Sequence, residues 1–420
     1  MKMKKTLSAI FACALACSAG ATHYPPASAG AVKRLAHDDR NLYILHFDGL
    51  EVLDKSTGET TWYTQATGHI PEGNIKSTSP NGHEPELNAL AVRGDTVWVG
   101  GNGFLTAIVG QEAESWHFSY NMSISNPGYP STSTLPMKFN SIAFGTDGIM
   151  YLGGLDQAGY LKPTRKGSFT GLPCNMAHGA EVWQMLPAAD GGVWVSYTSD
   201  SGKSSLARYT AGDEAEEVSS TLGFTKEIKA LAEDASGCLW FGVSSGEKHL
   251  YRFDGKSVEG FDIGGGGSPY RGPCCMAFDS TGHLWLLHSN SGEPGYDHWS
   301  KGPLCCFDDG ETTEYPFPEG VGLAYCIDVD GEDVYVGTDK GVLKLVDGKL
   351  VLLDSPWYYN NQEGTAIDDS RISPANERPH GWYDLQGRKR ESGKAPNGVH
   401  IENGRKTLSY PRLKCELPQG

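Results

Sequence analysis

The chain has 420 residues, with 35 Lys and Arg against 51 Asp and Glu, for a formal net charge of −16. That balance argues against a nucleic-acid partner, which needs a basic face for phosphate, and against a polybasic membrane patch. With 10% aromatic and 20% charged residues the chain is not disordered, and 54 glycines point to many tight turns rather than long helices.

The N-terminus reads Met1-Lys2-Met3-Lys4-Lys5, followed by an apolar run from Leu7 to Ala16. Basic residues, a short apolar run and then small residues make a secretory signal over residues 1–21, with cleavage after Ala19-Gly20-Ala21. A rival reading is a lipoprotein anchored through Cys17, which follows Ala14-Leu15-Ala16. No later run is long and apolar enough to span a bilayer. The expectation is an exported protein of the periplasm, cell surface or extracellular space, with no transmembrane segment in the mature chain and a linker over residues 22–31.

From Val32 onward one pattern recurs: an apolar strand, an Asp/Gly turn, then an apolar–aromatic pair. Its aromatic positions are Tyr43, Trp98, Tyr151, Trp194, Trp240, Trp285 and Tyr335, spaced 43 to 55 residues apart. Each unit reads as four strands; in the fifth these are Ile228 to Ala232, Cys238 to Val243, His249 to Phe253 and Ser257 to Phe261, with hairpin turns between them. A single four-stranded unit cannot bury both faces, whereas stacking units around a ring does. The sequence therefore predicts an all-β fold, a seven-bladed β-propeller of four-stranded antiparallel blades over residues 32–355. Val32 to Thr64 already supplies four strands, so the ring should close without an exchanged strand.

Asp333-Val334-Tyr335-Val336-Gly337-Thr338 through Lys344, and Cys238-Leu239-Trp240-Phe241-Gly242 with Leu250-Tyr251-Arg252, resemble the propeller repeat in the sensor regions of bacterial two-component regulators. The resemblance implies an extracytoplasmic ligand-sensing propeller. In that family the propeller is joined to a membrane helix and kinase, neither of which is present here. The repeat is also loosely similar to antibiotic-inactivating lyases of streptogramin type, although their catalytic pattern has no residue-by-residue match.

After a polar stretch over 356–380, the segment 381–420 carries Trp382-Tyr383-Asp384-Leu385-Gln386-Gly387-Arg388 and Asn397-Gly398-Val399-His400-Ile401-Glu402-Asn403-Gly404-Arg405-Lys406. This pair resembles the small C-terminal sorting β-domain of Bacteroidota proteins exported by the type IX system, and it predicts a β-hairpin extension. His400 stands where Tyr is usual, and the chain runs on past the pattern to Gly420.

In a propeller, loops joining strands two and three share one face with the loops joining blades. On that face the sequence is long from Gln65 to Leu87, Ser119 to Met137 and His288 to Pro303, while the opposite turns are tight. These segments and their neighbours give a candidate ligand-binding face of His69, His83, Tyr120, Tyr129, His178, Tyr270, Arg271, His288, Glu293, Tyr296, Asp297, His298 and Trp299. Aromatic rings beside amides and acids suit a carbohydrate, a peptide or a protein partner.

His288, Glu293, Asp297 and His298 lack any established metal or acid–base spacing, so the reading names no catalytic residue, metal or cofactor. Cys274-Cys275 and Cys305-Cys306 fall in one blade, and a Cys275–Cys305 bridge is an expectation that an exported compartment permits. Three functions follow. The first is a non-catalytic binding module. The second is a lyase or hydrolase using His and carboxylates on the same face. The third is a sensor partner that docks a separate membrane kinase.

Overall fold

The computed structural model describes residues 31–47, 49–71, 87–126, 129–146, 148–155, 158–161, 169–171, 181–189, 191–198, 204–210, 216–219, 222, 228–243, 247–263, 272–289 and 300–353, and then 382–383, 389–390, 398–402 and 405–409. Every regular element among them is a strand. The chain divides into two compact units, Met1–Gln362 and Glu363–Gly420.

In the first unit four-stranded antiparallel sheets follow one another, each with its strands side by side in chain order. Sheet 1 is Arg34–His37, Asn41–Leu45, Gly49–Asp54 and Thr60–Thr64; sheet 2 is Ala89–Arg93, Thr96–Gly101, Phe104–Val109 and Glu112–His117. Sheet 3 is Lys138–Phe144, Met150–Leu155, Ala158–Leu161 and Phe169–Gly171; sheet 4 is Val182–Pro187, Val193–Thr198, Ser204–Tyr209 and Glu216–Glu217. Sheet 5 is Ile228–Glu233, Leu239–Val243, Leu250–Phe253 and Val258–Phe261; sheet 6 is Pro273–Phe278, Leu284–His288, Leu304–Asp308 and Glu311–Tyr315. Sheet 7 is Ala324–Asp330, Asp333–Thr338, Gly341–Val346 and Lys349–Leu352.

The first strand of each sheet touches the first strand of the next, and that of sheet 7 returns to that of sheet 1. The unit is thus an all-β propeller of four-stranded antiparallel blades, with its first strands around the axis. Sheet 1 supplies all its own strands, and the ring is joined by Val32 N donating to Thr338 O (2.9 Å).

The repeated aromatic explains the stacking. Tyr43 packs with Val97 and Val99 of sheet 2, and Trp98 lies against the Phe139 and Leu152 cluster of sheet 3. Tyr151 packs with Val193 and Val195, and Trp194 with Leu239 and Phe241. Trp240 meets Leu284 and Leu286, Trp285 meets Val334 and Val336, and Tyr335 meets Leu42 and Ile44 across the closing seam. Each ring fills the gap to the following sheet, so no sheet has a complete core alone. Full burial of one such side chain is worth about 1.5–3 kcal/mol.

The turn before the aromatic has a second task. Asp234 Oδ1 accepts from Ser236 N and Cys238 N while its Oδ2 accepts from Trp240 Nε1 (2.8 Å). Asp279 does the same for Thr281 N, His283 N and Trp285 Nε1 (2.9 Å), and Asp38 accepts from Tyr43 OH (2.5 Å). The Asp both closes the turn and fixes the ring five or six residues later. At the outer hairpins, Asp309-Gly310 and Asp347-Gly348 have positive φ at both residues (44° and 89°, 49° and 72°), the twist that suits a two-residue hairpin.

Two expectations change. The segment from Ser119 to Met137, read as a loop, contains a β-hairpin: Ser119–Asn126 pairs antiparallel with Tyr129–Pro136. Tyr120, Met122 and Ile124 alternate with Asn121, Ser123 and Ser125, the period of a strand. Its base is fixed where Met137 N donates to Phe118 O and Gly103 N donates to Met137 O. In the second unit, described by itself, the expected hairpin is a four-stranded sheet. Its order is Lys389–Arg390, Trp382–Tyr383, Gly398–Glu402, Arg405–Ser409, so the two motif halves pair with each other as well as internally.

Candidate functional site: an axial funnel

The first strands are irregular at one shared point. The register of strand one against strand two slips by one residue between Phe139 and Ser141, Val182 and Gln184, Ile228 and Ala230, Pro273 and Cys275, and Ala324 and Cys326. The extra residues are Asn140, Trp183, Lys229, Cys274 and Tyr325. Sheets 1 and 2 carry the same feature at their entry. Lys33 N donates to Leu45 O, whose residue also pairs with Arg34, and Asn88 N donates to Gly100 O, whose residue also pairs with Ala89. A bulge leaves one residue outside the ladder and re-aims its side chain.

These re-aimed residues bound a cavity of about 210 Å³ at the entry of the first strands, lined among others by Lys33, Asn88, Asn140, Trp183 and Tyr325. A second hollow of about 210 Å³ adjoins it, sharing Arg34, Asn140, Trp183 and Tyr325 and reaching Lys229, Cys275 and Met276. Together they form a funnel on the propeller axis. A glycine in strand two makes the close approach possible: a Cβ on Gly154 would lie 1.4 Å from Lys138 O.

The funnel is rich in positive charge for so acidic a chain. Among the described residues, Lys33, Arg34, Lys138 and the carboxylate of Glu181 line its mouth, and Lys229 lies deeper, 6% exposed, with its Nζ 5.4 Å from the Trp183 ring centroid. Lys33 Nζ donates to Asn88 Oδ1 (2.6 Å), and Asn140 Nδ2 donates to Glu181 Oε1 (2.5 Å). Burial raises the Glu181 carboxyl above its ordinary range, against the pull of Lys138, Asn140, Lys229 and Arg34. Gln184 ties the wall together: it donates to Leu231 O (3.1 Å) and accepts from Leu231 N (2.8 Å), a side chain standing in for a strand across two sheets.

The strand ends beside the funnel also anchor the longer segments. The Ser119–Pro136 hairpin is followed within two residues by Lys138. Ser289 N donates to Gly272 O, and Ser300 bridges Ala324, so the chain leaves sheet 6 and returns beside first-strand entries. A larger recess of about 670 Å³ lies at the outer margin of sheets 4 and 5, away from the axis. Its polar residues serve the seam: Trp194 Nε1 donates to Glu233 Oε2 (3.2 Å), and the Arg208 guanidinium sits 5.4 Å from the Trp194 ring.

Among the described residues, none from the sequence-derived ligand-binding face is found in the lining of this funnel. His69 is half-buried at the seam of sheets 1 and 2, with Nδ1 2.8 Å from Thr67 Oγ1, Nε2 3.1 Å from Gln111 O and its ring edge-on to Tyr63. His288 ends strand two of sheet 6, where it is 5% exposed and lines neither part of the funnel. Tyr120 and Tyr129 lie on the hairpin strands, one on each. His83, His178, Tyr270, Arg271, Glu293, Tyr296, Asp297, His298, Trp299 and Cys17 lie outside the described residues.

The expected Cys275–Cys305 bridge is not formed; both are free thiols. Cys275 is on strand one and Cys305 on strand three of sheet 6, with Leu286 and Leu287 of strand two between them. Two strand spacings are about 10 Å, beyond the reach of a disulfide. Burial pushes the Cys305 thiol up to about 12 and the Cys306 thiol up to about 11. Among the described residues, no three His, Cys, Asp or Glu side chains gather as a metal site. No helix there is long and apolar enough to cross a membrane.

Sequence reasoning passed over the funnel because it looked to loops, yet a signal was present. Lys33, Asn88, Asn140, Trp183, Lys229, Cys274 and Tyr325 each stand ten or eleven residues before the repeated aromatic. At that step the repeat keeps its place to within one residue while its chemistry varies, which is how a ring of equivalent units presents different groups to one axis.

No family model and no curated protein matches the sequence. Solved structures do match in fold. A catalytically inactive virginiamycin B lyase from Staphylococcus aureus, solved with quinupristin, superposes with a TM-score of 0.55 at 14% identity over 77% of this chain and 96% of that one. PorZ, a bacterial surface component of the type IX secretion system of Porphyromonas gingivalis, gives 0.52 at 14% identity over 76% of this chain and 47% of that one. The extracellular domain of a hybrid two-component system from B. thetaiotaomicron gives 0.42 at 16% identity, over 76% and 46%. The first two establish the propeller fold.

Proposed function

We propose that this chain is an exported binding module, a seven-bladed propeller counting each four-stranded sheet of the first unit as one blade, that receives its ligand at the axial funnel. One observation carries the reading. At the same step of its first strand each sheet departs from regular pairing, and the displaced side chains form a polar, aromatic and charged lining instead of an apolar plug. Bulges cost ladder hydrogen bonds, and they recur where a side chain has to be re-aimed. The hairpin and the ends of the long segments stand beside the same opening, which extends the surface open to a carbohydrate, peptide or protein partner.

Export rests on the signal-like residues 1–21, with Cys17 as the alternative lipid anchor. The segment 381–420 is a sorting-domain-like extension, and its sheet pairing fits that resemblance. The decisive experiment is a glycan and peptide array probed with the chain from Thr22 onward and with the double variant Trp183→Ala, Tyr325→Ala. The expected result is a hit that weakens at least tenfold in the variant. A hit of unchanged strength, with the variant still folded by circular dichroism, would place recognition elsewhere. Binding lost in Tyr296→Ala, Trp299→Ala but kept in the funnel variant would move the site to residues 290–299.

A further inference from the structure

We infer that the funnel recognises a small hydroxy-carboxylate of the uronic-acid kind, a single negative charge on a ring bearing hydroxyl groups. The inference deepens the binding-module reading and rests on it. Charge comes first. In a chain of net charge −16, the described lining of the funnel brings together Lys33, Arg34, Lys138 and Lys229 with the carboxylate of Glu181. Cations lining one recess attract an anion entering from solvent.

Donor capacity comes next. Among the described residues, the hydrogen bond of the Arg34 guanidinium is from NH1 to Lys33 O (2.9 Å). A guanidinium has five N–H donors in a planar fork matched to a carboxylate, so the fork keeps donors for a ligand. Arg34 also borders both halves of the funnel, so an acid held there lies on the axis.

The remaining lining separates a sugar acid from other anions. Glu181 lies at the same mouth, where its oxygens accept hydrogen bonds and repel a second negative charge. That disfavours a phosphate dianion and favours a monoanion that brings hydroxyl donors. Asn88 and Asn140 add amide groups, and Trp183 and Tyr325 add half-buried rings against which the apolar face of a sugar ring packs. The hollow is small, about 210 Å³ at the mouth, so it takes one terminal unit and not a long chain.

The test is isothermal titration of the chain from Thr22 onward with glucuronate- and galacturonate-terminated disaccharides, their neutral amides, inorganic phosphate and a short acidic peptide. The inference expects the uronates to bind at least tenfold more tightly than the amides, more weakly as salt rises. It expects a tenfold or greater loss in Arg34→Gln and in Lys138→Gln, with partial rescue by Arg34→Lys. Circular dichroism melts check that each variant is folded. Amides binding as well as uronates, through a site sensitive to Trp183→Ala, would overturn the charge inference and leave the binding module standing. Phosphate or the peptide binding more tightly than the uronates would overturn it likewise. Silence from all four probes overturns the inference; an array hit insensitive to the funnel variants removes the module reading as well.

Discussion

The seam between sheets 5 and 6 and the seam between sheets 7 and 1 do the same job by different chemistry. The first is aromatic: Trp240 stacks on Phe261 (5.0 Å between centroids) and meets Phe278 and Phe307 edge-on (5.7 and 6.1 Å). The second gathers Val32, Leu42, Ile44, Cys326, Tyr335 and Val342, with one aromatic ring, and adds polar ties. His37 Nδ1 lies 2.8 Å from Asp328 Oδ2, and Lys55 pairs with Asp330 and with Asp38 O. Sheets 5 and 6 are joined directly in sequence, whereas sheets 7 and 1, neighbours in the ring, are about 300 residues apart in the chain. The charge pairs tie named positions of sheet 1 to named positions of sheet 7.

The largest expected effect tests the aromatic seam. Trp240→Ala removes the ring shared by Phe261, Phe278 and Phe307 and should cost about 3–5 kcal/mol, read as a lower urea midpoint. Tyr335→Ala, its counterpart at the closing seam, should cost less, because it has fewer aromatic neighbours. Equal losses would show that the two seams depend equally on their rings.

Asp234 sharpens the same seam. Burial works to raise this carboxyl, but hydrogen bonds from Ser236, Trp240 and Cys238 prevail and hold it below its ordinary 3.8. A depressed carboxylate contributes stability above its unfolded value and loses it as pH falls through the folded one. Asp234→Asn should therefore cost about 2 kcal/mol at neutral pH. It should also flatten the loss of stability below pH 3.8 in acid melts; an unchanged acid limb would detach the turn from the seam.

How much of this was legible beforehand follows from what repeats. The aromatic wedges, the Asp turns and the strand order were readable because every unit needs them to bury its flank, so Tyr43 through Tyr335 recur in kind. The funnel was not, because its signal is one of position and not of residue type: the displaced residue keeps its distance from the aromatic while its chemistry changes, so Lys33, Asn88 and Trp183 look like ordinary strand starts one at a time. The cysteine doublets misled for a related reason: Cys275 and Cys305 share a sheet, but strand two stands between them. The Ser119–Pro136 segment alternates polar and apolar residues and reads as a hairpin only once its length is weighed against a loop's.

At the closing seam, Lys55→Met removes the ties to Asp330 and Asp38 O and should cost about 1–2 kcal/mol. The same change should lower the urea midpoint less in Tyr335→Ala than in Trp240→Ala, because the seam the tie holds is already loosened in the first and intact in the second. Additive losses in both backgrounds would mean the ion pair is decoration on the surface.

The smallest expected effect is the most specific to closure. His37 faces Asp328 and Asp330, with Lys55 nearby, and its pKa is raised above 6.5: the Asp328 hydrogen bond outweighs burial, the two carboxylates add to it, and Lys55 opposes it. A raised histidine contributes stability that is fully present below pH 6.5 and is lost as pH climbs through the folded value. The ring should therefore be tightest at mildly acid pH and loosen toward alkaline pH. His37 is about one third exposed, so solvent screening keeps the change below about 1 kcal/mol. His37→Gln keeps a hydrogen-bond donor toward Asp328 but does not titrate. Thermal melts from pH 5 to 9 should slope downward in the natural chain and run level in His37→Gln, while Asp234→Asn keeps the alkaline slope. A slope that survives His37→Gln would assign the pH response to another group and leave the closing seam held by packing and Lys55.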